Sequence, residues 1–510
     1  MILPILRAFK LNPRPSLSSQ THHSMQVACD LQQAVIGVIK GASDMEKTLL
    51  VGKISLDAEN CKNAYESRSS GSSTESHSDH AEFEHIWGPE TFIERNGLAN
   101  LEAAHIIRHV APDYDVVSVL EELIAHDQDQ DAMFVVDLST VMRKISEWKK
   151  LMPRIQPFYA MKCNDDVAVC RMVADAGCGF DCASKSEIQA ALSYGISPDQ
   201  IIYANPCKQA SMLRYAKSVG VTKMTADNIE ELFKIKEVHP GAEVVLRIAV
   251  DDSQSVCRFN SKFGAQPSEW DELLRTCRAL DLNVLGFSFH VGSGCGDHKP
   301  FADAVSSARD AFDLAATFGY TCTLLDCGGG YPGDERTLSF ARVAAVLSEA
   351  VDHYFPTGCG VTVIAEPGRY MITASHTYAT AIIAKRVLTA AAHLAAVGVE
   401  VGAEAPHTQD ADVALYINDG VYGCFNCVVF DHVTPTPRTF PSAARGSVGT
   451  KLFGPTCDSI DVVMACTPLP PLTVGEWLWF DNMGAYTRCA ASRFNGQGKH
   501  AVHYVWAGMP

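Results

Sequence analysis

The stretch IQPFYAMKCNDDVAVCRMVADAGCGFDC, residues 155–182, decides the fold. An apolar run, Ile155–Ala160, reads as a strand. Asp166–Ala176 carries apolar residues at helical spacing, and Gly179–Cys182 reads as a second strand. The same alternation continues along the chain. Further strands are expected at Ile201–Ala204, Lys223–Thr225, Glu243–Ile248, Val284–His290, Cys322–Cys327 and Val361–Ala365. Helical patterns at Glu187–Tyr194, Lys208–Val219, Trp270–Leu280, Ala302–Phe318 and Phe340–Tyr354 separate them. Eight short apolar strands alternating with helices predict an α/β fold, a (β/α)8 TIM-like barrel. A doubly wound sheet is the competing architecture, and the absence of G-x-G-x-x-G in the first turn counts against it.

The barrel is expected over 133–372, opening with a strand at Met133–Asp137 and a helix at Leu138–Met152. Residues 83–132 read as a strand/helix segment packing on a second domain. That domain, 373–510, reads as a mainly antiparallel β domain that includes the N-terminal strand region. Its expected strands are Thr377–Ile383, Val413–Ile417, Val428–Phe430, Ile460–Met464, Trp477–Phe480 and His500–Trp506, with loops at Ala390–Asp412 and Pro435–Thr450. Residues 1–82 read as a disordered extension or leader. The first 29 residues lack acidic side chains and carry Arg7, Lys10 and Arg14, which suits an organelle transit peptide or an unstructured leader. Residues 66–81 are a polar, low-complexity linker.

Bulk properties narrow the partners. A net charge of −17 over 510 residues argues against nucleic acid and anionic membranes. No apolar run is long enough to span a bilayer, so a cytoplasmic protein is expected, with organelle targeting left open by the leader. Eighteen scattered cysteines fit free thiols in a reducing compartment. Cys424-Phe425-Asn426-Cys427 reads as two packed cysteines, and no metal site is expected.

In a (β/α)8 barrel, chemistry gathers at the carboxyl ends of the strands. There the sequence places Lys162, Asp181, Arg247, His290, Gly328-Gly329-Gly330 and Glu366. Each belongs to a different strand. A lysine at the tip of a buried strand is expected to have its pKa lowered by desolvation, freeing it as a nucleophile; the plain alternative is a solvated strand cap. Three glycines uncover backbone N–H groups for a phosphate, or simply make a tight turn. Glu366-Pro367-Gly368-Arg369 offers an acid to a ring nitrogen and a cation to its phosphate, or else a surface ion pair. His290 is either a satisfied core histidine or a flat group stacked on a cofactor. Together these parts suit pyridoxal 5'-phosphate.

The blocks PFYAMKCN (157–164), GFDCASKSEIQ (179–189), FHVGSGC (289–295), DCGGGYPG (326–333), AEPGRY (365–370), NDGVYGCFNC (418–427), GPTCDSID (454–461) and NMGAYT (482–487) resemble the eukaryotic ornithine decarboxylases, fold-type III pyridoxal-phosphate-dependent decarboxylases. The resemblance runs from about Phe83 to the C-terminus; Met161, Cys327 and Phe430 depart from the motifs. It implies decarboxylation of L-ornithine to putrescine and CO2. Lys162 would hold the cofactor covalently, Glu366 would face its ring nitrogen and His290 its ring. Asp181 and Arg247 would join the polar network around the ring. Ser293, Gly328, Gly329, Gly330, Pro367, Gly368, Arg369 and Tyr486 would line the cofactor and its phosphate. Cys457 would be the proton donor. Asp431, Asp458, Phe430 and Tyr422 would meet the substrate. The resemblance further implies a homodimer with shared active sites, Cys457 and Asp458 coming from the other subunit. Antizyme is a candidate partner, through 210–233. It also implies a chain without the degradation tail of vertebrate members.

Two rivals remain at this level. One is a lysine, arginine or diaminopimelate decarboxylase of the same fold. The other is a non-catalytic binding protein of antizyme-inhibitor type, against which the presence of Lys162, Asp181, Glu366, Cys457 and Asp458 speaks.

Overall fold

The computed structural model describes residues 107–336, 338–389, 411–440 and 446–508. The expectations for residues 1–82, for the 83–106 part of the strand/helix segment and for the loop at 390–410 lie outside them. The described residues belong to one compact unit.

Eight parallel strands close a barrel: Ile155–Ala160, Gly179–Cys182, Ile201–Tyr203, Lys223–Ala226, Glu243–Arg247, Asn283–Ser288, Leu324–Asp326 and Thr362–Ala365. Closure comes where Val363 pairs with Ile155. The strands are buried on both faces, which is why their sequences read as continuous apolar runs. Phe158, Ile202, Val245, Leu324 and Ile364 pack together as one small apolar cluster. Their strand neighbours Tyr159, Ile201, Val244 and Leu325 join the large cluster shared with the helices. Side chains hold the helix starts. Asp166 accepts from the backbone N–H groups of Ala168 and Val169, and Ser184 accepts from Glu187.

The second sheet runs in the order Ile107–His109, His500–Trp506, Ala132–Asp137, His376–Val387, Val413–Ile417, Val448–Phe453, Val462–Leu469. Trp477–Phe480 also pairs with His376–Val387 and carries Arg438–Thr439 on its other side. Three of these pairings are parallel, at both N-terminal strands and between Val413–Ile417 and Val448–Phe453, so the sheet is mixed.

Three sequence expectations need correction. The strand expected to open the barrel, Ala132–Asp137 in the structure, lies in the second sheet: Phe134 pairs with Val502 on one side and Tyr378 on the other. A run buried on both faces has the same composition in either sheet, so hydrophobicity could not choose between them. The barrel begins instead with the helix Leu138–Leu151, whose Trp148 donates to the carbonyl of Ile155 at 2.9 Å and packs against Tyr331, Phe340 and Tyr370.

Val428–Phe430, expected as a strand, is part of a helical turn, Cys427–Phe430. Its β-branched residues suggested extension. Tertiary anchoring overrides them: buried Asn426 donates to the carbonyls of Gly423 and Thr487, while Val429 and Phe430 face solvent. Val448–Phe453 is a strand where Pro435–Thr450 was expected to be a loop. Its Gly- and Thr-rich start hides the pattern, and burial of Leu452 beside its partner Leu415 sets the register.

The sheet domain grips the barrel rim next to Lys162. Asn164 donates to the carbonyl of Gly484 at 2.8 Å. Asp166 takes Arg488 at 2.6 Å and the hydroxyl of Tyr504 at 2.9 Å. The backbone N–H of Tyr486 donates to the carbonyl of Cys163 at 3.0 Å.

Candidate active site

Lys162 sits in a short 3-10 turn, Met161–Cys163, immediately after the strand Ile155–Ala160. The neighbouring strand brings Asp181 beside it, because Ala160 and Asp181 pair in register. The Lys162 amine contacts the Asp181 carboxylate. This corrects the expectation for the lysine. Burial does pull its pKa down, but the carboxylates of Asp181 and Glu366 outweigh it, and the net shift is upward. Lys162 is therefore held as an ammonium. Desolvation also raises the pKa of fully buried Asp181, against the pull of Lys162, which makes Asp181 a suitable acceptor for the lysine's proton.

Glu366 follows the strand Thr362–Ala365, and its backbone N–H donates to the carbonyl of Gly328 at 2.7 Å. Burial, then Asp181 and Asp326, push its pKa well above the usual carboxylate range. Asp326, at the end of the adjacent strand, is pushed up to about 7 by burial. One oxygen of Asp326 accepts from the N–H of Gly328 at 2.9 Å. The Asp326 and Glu366 carboxyls lie within hydrogen-bonding reach of each other, and Oδ1 of Asp181 is buried without a hydrogen-bond partner. Arg247 adds its charge to the same cluster. Three carboxyls thus face two cations, and the arrangement retains a proton on the Asp326–Glu366 pair.

His290 accepts the Gly292 N–H at Nδ1, at 3.0 Å, which leaves Nε2 as the protonated nitrogen. Burial and the nearby cations Arg247 and Lys162 hold the ring neutral. Phe259 meets it edge-on at 4.9 Å. The triple glycine lies alongside. Gly328 and Gly330 have φ of 56° and 106°, and a Cβ on Gly329 would stand 2.8 Å from His290 Nε2. Only backbone fits there. Arg369 closes this end: it donates to Ser293 Oγ at 3.0 Å, lies 5.0 Å from the Tyr486 ring centre and pairs with Asp431 at 2.6 Å. Pro367 and Gly368 seat the loop. The Pro367 carbonyl accepts from Ala160, and a Cβ on Gly368 would stand 2.8 Å from Cys163 Cβ.

The remaining expected residues stand elsewhere. Cys457 is exposed, its backbone N–H donating to Asn495 Oδ1 at 2.9 Å. Asp458 accepts from the Tyr422 hydroxyl, and the Tyr422 ring packs on Phe494 at 4.5 Å. Phe430 points to solvent, 66% exposed. Among the described residues, no hydrogen bond, ion pair or ring contact joins this second group to Lys162, Glu366 or Arg369. Sequence reasoning missed Asp326, Phe259, Phe494 and Glu187. Glu187, pushed up to about 7 by burial, accepts from the N–H of Ala183 at 2.6 Å. Asp326 had a visible signal, an acidic residue ending an apolar strand just before the glycines.

A flat heterocycle bearing a phosphate fits this donor set. An amine stands for a carbonyl carbon, a proton-bearing acid for a ring nitrogen, a neutral imidazole for the ring face, and backbone N–H groups with an arginine for the phosphate. A parallel barrel with such a rim is that of a fold-type III pyridoxal-phosphate enzyme.

Comparison with known proteins agrees. Residues 138–373 match the family model described as pyridoxal-dependent decarboxylase, pyridoxal binding domain. The chain is 45% identical over 393 residues to antizyme inhibitor 2 of Xenopus laevis, covering 76% of this chain and 84% of that one. It is 43% identical over 410 residues to the ornithine decarboxylase of Mus pahari, covering 79% and 86%. The crystal structure of the Paramecium bursaria Chlorella virus arginine decarboxylase bound to agmatine superimposes with a TM-score of 0.69 at 34% identity, covering 76% of this chain and all of that one. The chain belongs to the eukaryotic branch of the pyridoxal-dependent decarboxylases, and pyridoxal phosphate is its cofactor. No helix among the described residues is long and apolar enough to cross a membrane.

Proposed function

We propose that the protein decarboxylates L-ornithine to putrescine and CO2, as a head-to-tail homodimer in the cytoplasm. The observation that carries the chemistry is the Lys162 amine held between Asp181 and the field of Glu366, beside a glycine cradle. Its likeness to ornithine decarboxylases at 43% identity supports the substrate.

Bound pyridoxal phosphate supplies an electron sink for the pair of electrons left when CO2 departs. The chain's own residues set the conditions. Lys162 would hold the cofactor, and Asp181 would take the lysine's proton to free the nitrogen lone pair. Glu366, its pKa raised by burial and by Asp181 and Asp326, would face the ring nitrogen and share a proton with it. Neutral His290 presents a ring face without adding charge. Ser293, Arg369, Tyr486 and the N–H groups of Gly328–Gly330 orient the phosphate. Asp431 and the partner subunit's Asp458 receive the substrate's distal ammonium. The partner subunit's Cys457 gives its thiol proton to the α-carbon. Two carboxylates at a fixed depth favour one chain length, although a methylene is worth only about 1–3 kcal/mol, which leaves lysine as a weaker substrate.

A decarboxylation assay with ornithine, lysine and arginine, with and without added cofactor, tests this. Ornithine should give the highest kcat/KM. A second reading, a non-catalytic protein of antizyme-inhibitor type, is favoured by the 45% identity to antizyme inhibitor 2. A purified protein that binds no cofactor and releases no CO2 would select it.

A further inference from the structure

Arg369 does more than close the phosphate end of the site. Its Nη2 donates to Ser293 Oγ at 3.0 Å and to Asp431 Oδ1 at 2.8 Å, and stands 2.6 Å from Asp431 Oδ2. Both charges are sheltered: the side chains are 19% and 10% exposed. Asp431 is placed by the helical turn Cys427–Phe430, which it caps, and that turn is anchored through Asn426. The thiol of Cys257, 3.8 Å from Oδ1, is a weak further contact for this carboxylate. The guanidinium meant for a phosphate is thus already in contact with an anion of the protein.

We propose that Arg369 couples the cofactor's phosphate to the choice of the substrate's distal amine. This rests on the functional reading above, in which Arg369 grips phosphate and Asp431 meets a distal ammonium. Two anions on one sheltered cation repel each other, so the Asp431 charge weakens the hold on phosphate. A cation arriving at Asp431 cancels that charge and strengthens the hold. Phosphate, Arg369, Asp431 and ammonium then form a row of alternating sign. By thermodynamic reciprocity, the phosphate strengthens amine binding by the same factor. A substrate without a distal cation leaves the row incomplete, so selectivity arises in cofactor affinity as well as in direct contact.

The test compares cofactor-free wild-type protein with Asp431→Asn, which keeps the shape and removes the charge. Each is titrated with pyridoxal phosphate and with pyridoxal, which lacks the phosphate, followed by visible absorbance. At low ionic strength the variant should bind pyridoxal phosphate about threefold more tightly, because one anion no longer shares the Arg369 cation with the phosphate. Pyridoxal affinity should move by less than about twofold, which also shows that the variant is folded. Calorimetry with inorganic phosphate should show putrescine tightening phosphate binding in the wild type and not in Asp431→Asn. Equal or weaker pyridoxal phosphate binding by the variant overturns the coupling and leaves the functional reading standing. Absence of pyridoxal phosphate binding in the wild type overturns both.

Discussion

The hydroxyl of Tyr422 donates to the carboxylate of Asp458, in a group that no hydrogen bond, ion pair or ring contact among the described residues joins to Lys162. Tyr422, Phe494, Asn495, Cys457 and Asp458 form one self-consistent cluster, whereas Lys162, Asp181, Glu366 and His290 form another at the barrel rim, with Asp181 fully buried beneath a partly open Lys162. One subunit carries both halves of the expected chemistry without bringing them together. If two copies meet head to tail, each half-site is completed by the other copy. Lys162→Ala, which forms no product, and Cys457→Ala, which still releases CO2 but misdirects the proton, should together recover about a quarter of wild-type putrescine formation when mixed and allowed to exchange subunits, because half the dimers are mixed and each has one intact site. Recovery of none would mean that the sites are not shared.

Removing the lysine has two separable effects. Lys162→Ala should abolish the visible absorbance of lysine-bound cofactor and reduce turnover to background. It should also destabilise the protein, because Asp181 is fully buried and loses its cation. The cost should be about 2 kcal/mol, below that of a fully buried pair, since the Lys162 side chain is 38% open to solvent. Adding Asp181→Asn should restore stability without restoring activity. Denaturant titration beside the activity assay distinguishes the two.

The Asp326–Glu366 pair makes stability depend on pH in a direction opposite to that of surface carboxylates. Asp326 is pushed up to about 7 and Glu366 is raised, so the folded state binds more protons than the unfolded chain between their ordinary values and neutrality. Stability from this pair is full below pH 4 and is lost as pH rises through 7. Cofactor-free wild-type protein should lose more stability between pH 5 and pH 8 than Asp326→Asn does. Thermal melts at the two pH values measure the difference, and equal losses would remove the pair from the account.

Gly329→Ala isolates the cradle. Its Cβ would stand 2.8 Å from His290 Nε2 and 3.0 Å from the carbonyl of Glu366. One of the two must shift, and overpacking of this kind costs about 1–3 kcal/mol, so affinity for pyridoxal phosphate should fall about tenfold or more. An absorbance titration reads this directly.

Much of this is legible in the sequence. The eight barrel strands announce themselves because parallel strands buried on both faces leave continuous apolar runs, and the rim residues follow from where those runs stop. Ala132–Asp137 was misplaced because the same run serves equally in a second sheet, and only its partners Val502 and Tyr378 decide. The turn Cys427–Phe430 was misread because Asn426 acts across the chain, on Thr487, where local propensity has no view. The upward shift at Lys162 was missed for a related reason. Desolvation can be guessed from a strand tip, but the two carboxylates that reverse it come from residues 181 and 366 and meet only in three dimensions.

The grip of the sheet domain on residues 163–166 has a consequence for how the chain could evolve. Asn164 and Asp166, within four residues of Lys162, are held by Gly484, Arg488 and Tyr504, and the backbone of Cys163 by Tyr486. The reactive lysine is therefore aimed by a segment more than three hundred residues downstream. A barrel cut free of its neighbour, or grafted onto another, would keep its strands and lose its aim. The two domains form a single inheritance unit, and substitutions far down the chain can silence the lysine without touching it.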